Sequence, residues 1–399
     1  MKILHCCLAG PYTENFGYQE NIITNMHKLQ GYDVFIITSD RTWQDGKKIV
    51  ITEKKSFVTN EGIPVTRLSF VKWLPVFLVN KLRIFKGITE YLIELKPDII
   101  FIHGVQFLSI LKFVKYIKQR DNIKVYVDNH ADYFNSAKNW LSKYILHKII
   151  YKYCAKSIEP YTIKFYGTLP NRVKFLQNMY NINKNKIELL LMGYDDTLID
   201  FNDKDNIRTS IRNKYNIQPN NFLIITGGKI NKLKNIHLLV KAFNELNLIN
   251  SKLIIFGSLH DDIKEEIEKI IMQSNNIKFI NWKSSKEIYE LFLASDLAVF
   301  PGSHSVLWEQ AVGLGLPCIF KGYDGHKHVD IGGNCIFISD VNISTIKEAL
   351  LLVINNKDFY QKMKYAADSE NGKNKFSYYN IAKQAIGCIT DNNKNETNN

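Results

Sequence analysis

Residues 297–320 read LAVFPGSHSVLWEQAVGLGLPCIF, and the fold turns on them. Leu297-Ala298-Val299-Phe300 is a short apolar run of the kind a buried parallel strand makes. Pro301, Gly302 and the small or polar Ser303, His304 and Ser305 form a turn, and a helical stretch starts near Val306. Backbone N–H groups at a helix start have no intrahelical partner and favour an anion such as a diphosphate. Glu309 falls about one turn in, on the side facing the strand ends. A carboxylate there can accept hydrogen bonds from vicinal hydroxyls such as those of a ribose. Gly313 and Gly315 let the helix end close to the sheet, and Pro317 leads into the next strand at residues 318–321. Taken alone, the stretch fits equally well an ordinary strand–helix–strand unit in which Glu309 is a solvated carboxylate.

Upstream of it, residues 221–226 read as a buried strand that ends in Gly227-Gly228-Lys229 and runs on to Lys234. Glycines let backbone approach a phosphate, and the two lysines supply positive charge. The Walker pattern is absent. Strands at 252–257 and 277–280 alternate with helices at 261–273 and 287–294. A glycine-bearing loop at 324–328, a strand at 335–338 and helices at 343–355, 359–367 and 376–390 complete this half.

The first half repeats the alternation. Residues 1–8 read as a strand, 9–17 as a loop containing Gly17, 18–30 as a helix and 33–38 as a second strand. Residues 41–59 are polar and irregular, and 62–68 a short strand. Residues 96–104 turn into a buried strand ending in His103, and 124–129 form another strand followed by His130. Ligands bind at the carboxyl ends of strands in open α/β sheets, which makes both histidines site candidates. The polar run 200–206 reads as the inter-domain linker. The expected organisation is therefore an acceptor-side domain, 1–200, and a ligand-binding domain, 201–375. The helix 376–390 packs back on the first domain, and the polar tail 391–399 is disordered. Two doubly wound Rossmann-like α/β domains would face each other across a cleft.

The chain of 399 residues, 45% hydrophobic, has room for two cores. No apolar run approaches the ~20 residues that span a bilayer, and residues 3–8 are too short for a signal peptide, so a cytoplasmic location is expected. The six cysteines show no C-x-x-C spacing and read as reduced thiols. The net charge of +13 suits anionic partners: nucleotide diphosphates, anionic lipid or nucleic acid. Residues 70–86 carry Lys72, Lys81, Arg83 and Lys86 among Trp73, Phe77 and Phe85 with no acidic residue, and 139–156 form a second acid-poor, lysine-rich face. Both fit an anionic membrane surface, and both fit equally a half-buried helix with snorkelling lysines.

With these residues in view the chain resembles the retaining glycosyltransferases of family 4, which have the GT-B fold. The landmarks are Lys96-Pro97-Asp98-Ile99-Ile100 with His103-Gly104, the strand ending at His130, and Met192-Gly193-Tyr194-Asp195. Further ones are Gly227-Gly228-Lys229 with Lys234, and Glu309 ahead of Gly315-Leu316-Pro317. The resemblance implies sugar transfer from a nucleotide diphosphate sugar, with retention, to a saccharide or lipid-linked acceptor in bacterial envelope polysaccharide synthesis, at the inner face of the plasma membrane. By the family pattern, Lys229 and Lys234 neutralise the leaving diphosphate, Glu309 holds the donor ribose, His130 lies near the reacting centre and Gly17 passes the diphosphate or acceptor. The family usually has Arg where Lys229 stands. The first glutamate of the family's paired motif would fall at Pro301, and residues 303–305 occupy its place. Backbone N–H groups around Ser305 and Val306, with His304, are expected to substitute for it. Neither a cofactor nor a metal is expected. The acidic pairs Asp195-Asp196, Asp203/Asp205 and Asp261-Asp262 have no further ligands near them in sequence. The competing readings are a nucleotide-sugar epimerase of the same shape and a non-catalytic nucleic-acid binder. No RNA-binding signature is visible for the latter, so nucleic acid is not an expected partner.

Overall fold

A computed structural model of the chain describes residues 1–44, 48–120, 122–323 and 325–388. It divides into two compact units, one comprising Met1–Leu191 with the segment from Tyr379 onward, the other Met192–Tyr378. The tail 391–399 and the end of the last expected helix, residues 389–390, lie outside the described residues.

The first unit is built on β1 (Lys2–Cys7), β2 (Asp33–Ser39), β3 (Arg41–Gln44), β4 (Lys48–Ile51), β5 (Ser56–Val58), β6 (Pro64–Leu68), β7 (Ile99–His103), β8 (Lys124–Asn129), β9 (Thr162–Gly167) and β10 (Ile187–Leu189). Eight of these form one sheet in the order β10-β9-β8-β7-β1-β2-β6-β5. Every pair is parallel except β5 with β6. Ile99, Ile100, Phe101 and Ile102 are all buried, because helices cover both faces of a parallel sheet and leave no solvent side. Residues 41–59, read as irregular, hold the antiparallel pair β3–β4 and the edge strand β5. No side chain in these three strands is fully buried, so they leave no apolar run to register as strands.

The last helix, Tyr378–Ala385, places its later residues in the first unit. Gln30 Nε2 donates to the Tyr379 carbonyl at 2.7 Å, the Tyr166 hydroxyl to Gln384 at 2.9 Å, and Gln384 Nε2 to Leu189 at 3.2 Å.

The second unit holds β11 (Phe222–Ile230), β12 (Ser251–Leu259), β13 (Ile277–Phe279), β14 (Leu297–Phe300), β15 (Cys318–Lys321) and β16 (Cys335–Ile338). They form one parallel sheet in the order β13-β12-β11-β14-β15-β16. The division falls after Leu191 rather than at residue 200. Residues 200–206 belong to the second unit, where their polarity serves capping. Asp200 accepts from the Asn202 N–H at 2.9 Å, and the helix Lys204–Lys214 follows directly. Met192 begins this unit and Tyr378 closes it, with Tyr194 and Ser377 bridged in parallel.

In each sheet the strand order reverses at one place, between β1 and β7 in the first and between β11 and β14 in the second. Loops leaving neighbouring strands there part in opposite directions and open a crevice at the carboxyl ends.

Candidate active site

In the second unit the loops after β11 and β14 lock together at the reversal point. The Ser303 N–H donates to the Leu233 carbonyl at 2.8 Å, and Asn235 Nδ2 to Pro301 at 3.1 Å. Lys234 Nζ donates to the carbonyls of Ser303 at 2.7 Å and His304 at 3.1 Å. A β-carbon on Gly302 would sit 2.2–2.3 Å from the backbone of Lys234, so only glycine allows this closure. Gly228, at φ +114°, opens the end of β11 toward Leu307. Lys229 follows it on the same strand, exposed, opposite Ser258. Burial lowers the Lys234 ammonium to about 8. Its two carbonyl partners carry no charge, so the cation has dipoles around it and no anion. Of the expected anion-binding set, the structure brings Gly228, Lys234 and residues 303–305 to one loop junction.

Glu309 does not present an open carboxylate. It lies in the short helix Leu307–Gly313 and is fully buried. His304 Nε2 donates to both its oxygens, at 2.8 and 3.1 Å, and His328 Nε2 to Oε1 at 2.8 Å. Burial alone would raise the carboxyl pKa. The two imidazoles outweigh it and hold the group below its ordinary value. The carboxylate read in sequence as a partner for vicinal hydroxyls thus already accepts from two imidazoles. What it orients is His304, whose side chain keeps 11% exposure with Nε2 engaged, leaving Nδ1 as the ring atom for a ligand. Val306 precedes the helix as its cap residue.

His304, Glu309 and His328 offer ligand atoms within 4.8 Å of one another, the one such set among the described residues. Two imidazoles and a carboxylate suit a transition metal such as Zn²⁺. As arranged, each imidazole N–H already has its acceptor, so the carboxylate's charge is met by hydrogen bonds. His328 was not singled out from sequence. It enters from a loop with no periodicity, and the HKH spacing of residues 326–328 was the available signal.

In the first unit a cavity of about 750 Å³ opens at the β1–β7 reversal, lined among others by Cys7, Tyr18, Glu20, Arg83, His103 and His130. Gly17 itself is exposed in the loop just ahead of Tyr18. Behind the cavity runs a chain of imidazoles. His27 Nε2 meets the Ala382 carbonyl at 2.8 Å, and His27 Nδ1 meets His5 Nε2 at 3.0 Å. His5 Nδ1 meets His103 Nε2 at 3.0 Å, and His103 Nδ1 meets Asp128 Oδ2 at 2.7 Å.

Hydrogen-bond direction fixes the proton count. A carbonyl only accepts, so His27 Nε2 carries a proton. Each of the two imidazole–imidazole contacts needs one further proton, and the contact with Asp128 needs a fourth. Three neutral rings carry three. One excess proton is therefore shared along the chain. Burial lowers the pKa of all three histidines. His5 is lowered further by its neighbours, and His27 falls to about 4. Only His103 is raised, because Asp128 outweighs its burial. Asp128 is held below the usual carboxylate range, the charges of His103 and His130 overcoming burial. The excess proton thus rests on His103, which forms a buried ion pair with Asp128. His130 stands at the cavity side of the same carboxylate, Nε2 3.5 Å from Oδ2, with 38% side-chain exposure.

The remaining expectations are placed as follows. Ser305 and Val306 flank the start of the short helix. Asp203 stands at the N-cap position of the helix Lys204–Lys214 and accepts from Asn206 Nδ2 at 2.7 Å, and Asp262 pairs with His260 at 2.9 Å. All six cysteines are free, four of them buried. Among the described residues no helix is long and apolar enough to cross a membrane.

Residues 207–370 match the family model described as glycosyl transferases group 1. A curated relative, an uncharacterized glycosyltransferase of Methanocaldococcus jannaschii, is 20% identical over 219 residues, 52% of this chain and 55% of that protein, so the match spans about half the relative's length. Among solved structures, a glycosyltransferase from Rickettsia africae superposes with TM-score 0.68 at 17% identity, covering 96% of each chain. Anabaena HepE in complex with UDP-glucose superposes with TM-score 0.65 at 14% identity, covering 96% of this chain and 98% of that one. At these identities the structures establish the fold, two Rossmann-like domains of the GT-B kind.

Proposed function

We propose that the chain, whose residues 207–370 match the glycosyl transferases group 1 model, is a transferase that moves a sugar, with retention, from a nucleotide diphosphate sugar to a saccharide or lipid-linked acceptor in envelope polysaccharide synthesis. The observation that carries this reading is the loop junction of the second unit. There a partly desolvated ammonium, Lys234, meets a glycine-opened strand end with Lys229 beside it. As the glycosidic bond to the donor breaks, negative charge grows on the diphosphate. Cations already in place stabilise it with little rearrangement, which is where electrostatic catalysis gains most. A diphosphate restores to Lys234 the charge compensation that burial removed, so donor binding and protonation reinforce each other.

Glu309 acts through His304. With Nε2–H committed to the carboxylate, the imidazole is held in one tautomer and turns Nδ1 toward the transferred sugar, replacing the glutamate that Pro301 displaces. His130, 3.5 Å from Asp128 in the first unit, is assigned to the acceptor side. No metal is assigned to the reaction.

The acid-free segments 70–86 and 139–156 are assigned to an anionic membrane surface. Trp73, Val76 and Phe77 are strongly exposed, as are Trp140, Leu141 and Ile149. Lysines interleave with these apolar side chains, the pattern that seats rings at headgroup depth and cations on phosphates.

Thermal-shift measurement with uridine, guanosine and adenosine diphosphate sugars tests the donor site. A selective stabilisation that Lys234→Met abolishes supports it, and no shift with any of them removes it. Turnover unchanged in His304→Ala would remove the role given to that imidazole. Incubating a nucleotide sugar without acceptor separates transfer from epimerisation, since an epimerase converts its substrate alone.

A further inference from the structure

Arg83 lines the first unit's cavity and caps the helix Val76–Leu82 in the left-handed conformation, φ 51°. Side chains other than glycine, asparagine or aspartate rarely hold that backbone shape, and where they do the surroundings fix it. The guanidinium Nη1 donates to the Gln106 carbonyl at 2.7 Å. Among the described residues no carboxylate pairs with it.

The groups around Arg83 are neutral. The charges that bear on it are the phenols of Tyr151 and Tyr180, and burial pushes both phenols up, so they stay protonated. The Tyr151 hydroxyl donates to the Lys81 carbonyl at 2.6 Å. The Tyr180 hydroxyl accepts from Gln106 Nε2 at 3.0 Å and meets His147 Nδ1 at 2.8 Å. Burial and, after it, the arginine's own charge lower His147 to about 4. Asp128, behind the lining, is matched by His103, and Glu20, which lines the cavity, makes no ion pair with Arg83 among the described residues. One end of the cavity thus holds an arginine whose charge is unmet. Arg83 is partly buried, and a charge drawn out of water is ordinarily paired.

The approach to this end is chemically uniform. Arg83 belongs to the acid-free segment 70–86, and Tyr151 ties the second acid-free segment to the first through Lys81. Asn135 and Ser136 line the cavity between the exposed Phe134 and the lysines that follow.

We propose that the Arg83 end of the cavity seats a phosphate group carried by the acceptor. This rests on reading the cavity as the acceptor side of a glycosyltransferase, and it narrows that acceptor to a phosphorylated molecule. A guanidinium presents parallel N–H donors that match two phosphate oxygens at once, and one such fork still leaves Nη1 on the Gln106 carbonyl. A phosphate borne by a lipid and a phosphate on a soluble sugar offer the same group to Arg83. They differ in whether the apolar rim also takes part.

The test uses the full chain and isothermal titration with glycerol 3-phosphate, dioctanoyl phosphatidylglycerol and uncharged glycerol. Wild type, Arg83→Lys and Arg83→Gln are compared, each checked for an intact thermal transition. The expected result is binding of the phosphate probes and not of glycerol. Arg83→Gln should weaken it at least tenfold, and Arg83→Lys, which keeps the charge without the fork, should fall between Arg83→Gln and wild type. Tighter binding of the lipid probe assigns the phosphate to a membrane-borne acceptor, and equal binding assigns it to a soluble sugar phosphate. Equal affinities in wild type and Arg83→Gln, or no phosphate binding in wild type, overturn the proposal. Stabilisation by UDP-glucose, which reads the second unit, is measured alongside. Its absence in wild type would count against the transferase reading while leaving the Arg83 result to stand or fall by itself.

Discussion

Replacing Asp128 by asparagine tests the proton count of the imidazole chain. Asparagine has nearly the same shape, but its amide can donate to His103 Nδ1 where the carboxylate accepts. Every hydrogen bond of the chain can then be kept with one proton fewer, and the excess charge leaves the core. At pH 8 the loss is the difference between a charge-assisted and a neutral hydrogen bond, about 1 kcal/mol. At pH 5 a second cost appears. In the unfolded chain His103 titrates near its ordinary value of 6.5, whereas in the variant burial with no anion beside it keeps the ring neutral. Each pH unit of mismatch costs about 1.4 kcal/mol, so the step from 6.5 to 5 adds about 2 kcal/mol.

The wild-type signs run the other way. The raised pKa of His103 contributes stability that is fully present below 6.5 and is lost as pH rises through its higher folded value. The depressed pKa of Asp128 contributes stability that is present above its ordinary 3.8 and is lost as pH falls toward its folded value. Burial, the largest cause of the lowered His5 and His27 pKa values, is common to both proteins and cancels in the difference, while the smaller contribution from the charge on His103 is lost in the variant. With about 2–4 °C per kcal/mol for a unit of this size, the variant should melt about 2–4 °C below wild type at pH 8 and at least about 6–12 °C below it at pH 5, because wild type also gains stability as pH falls from the raised His103 value to 6.5. Circular-dichroism melts at the two pH values measure this, and ¹⁵N shifts of the His103 ring report the missing proton directly. A penalty that is equal at both pH values, or larger at pH 8, would refute the assignment of the excess proton to His103.

Gly302→Ala drives a methyl into the Lys234 backbone. It should part the two loops and weaken nucleotide-sugar binding at least tenfold in calorimetry, about 1.4 kcal/mol, and unchanged affinity would mean the junction does not form the site. Because burial brings Lys234 to about 8, affinity for a nucleoside diphosphate should fall as pH rises through 8, approaching about tenfold per unit. In Lys234→Met that slope should vanish, and persistence of the slope would assign it elsewhere. Glu309→Ala strands two buried imidazole N–H donors and should cost about 2–4 kcal/mol in denaturant unfolding, a loss below about 0.5 kcal/mol showing that the imidazoles find other acceptors. The double variant Trp73→Ser/Phe77→Ser should lose co-sedimentation with anionic vesicles while keeping the wild-type melt, and undiminished sedimentation would remove the membrane contact from that segment.

What could be read from the sequence is what a parallel sheet writes into consecutive residues. Runs such as Ile99–Ile102 or Leu253–Phe256 are apolar at every position because both faces are covered, and glycines mark where neighbouring loops touch. Lys234 and residues 303–305 could be paired for this reason, since each lies just beyond a strand at the reversal of the sheet. The imidazole chain left no such mark. His5, His27 and His103 are joined only because β1 lies beside β7, bringing His5 level with Phe101, and because the first helix folds back over β1. The one local hint was a histidine inside an otherwise apolar strand, a position no packing argument asks for. The surroundings of Glu309 were illegible for a related reason. Helical spacing gives the direction of a side chain, and whether a carboxylate is open or occupied depends on residues from other loops, here His304 and His328. Polarity misled at residues 200–206 as well, because aspartates that cap turns resemble a linker until the backbone N–H groups they serve are seen. In all three places a polar residue's role was set by hydrogen-bond partners distant in sequence or by backbone geometry, while the apolar framework, set by neighbours in sequence, could be read directly.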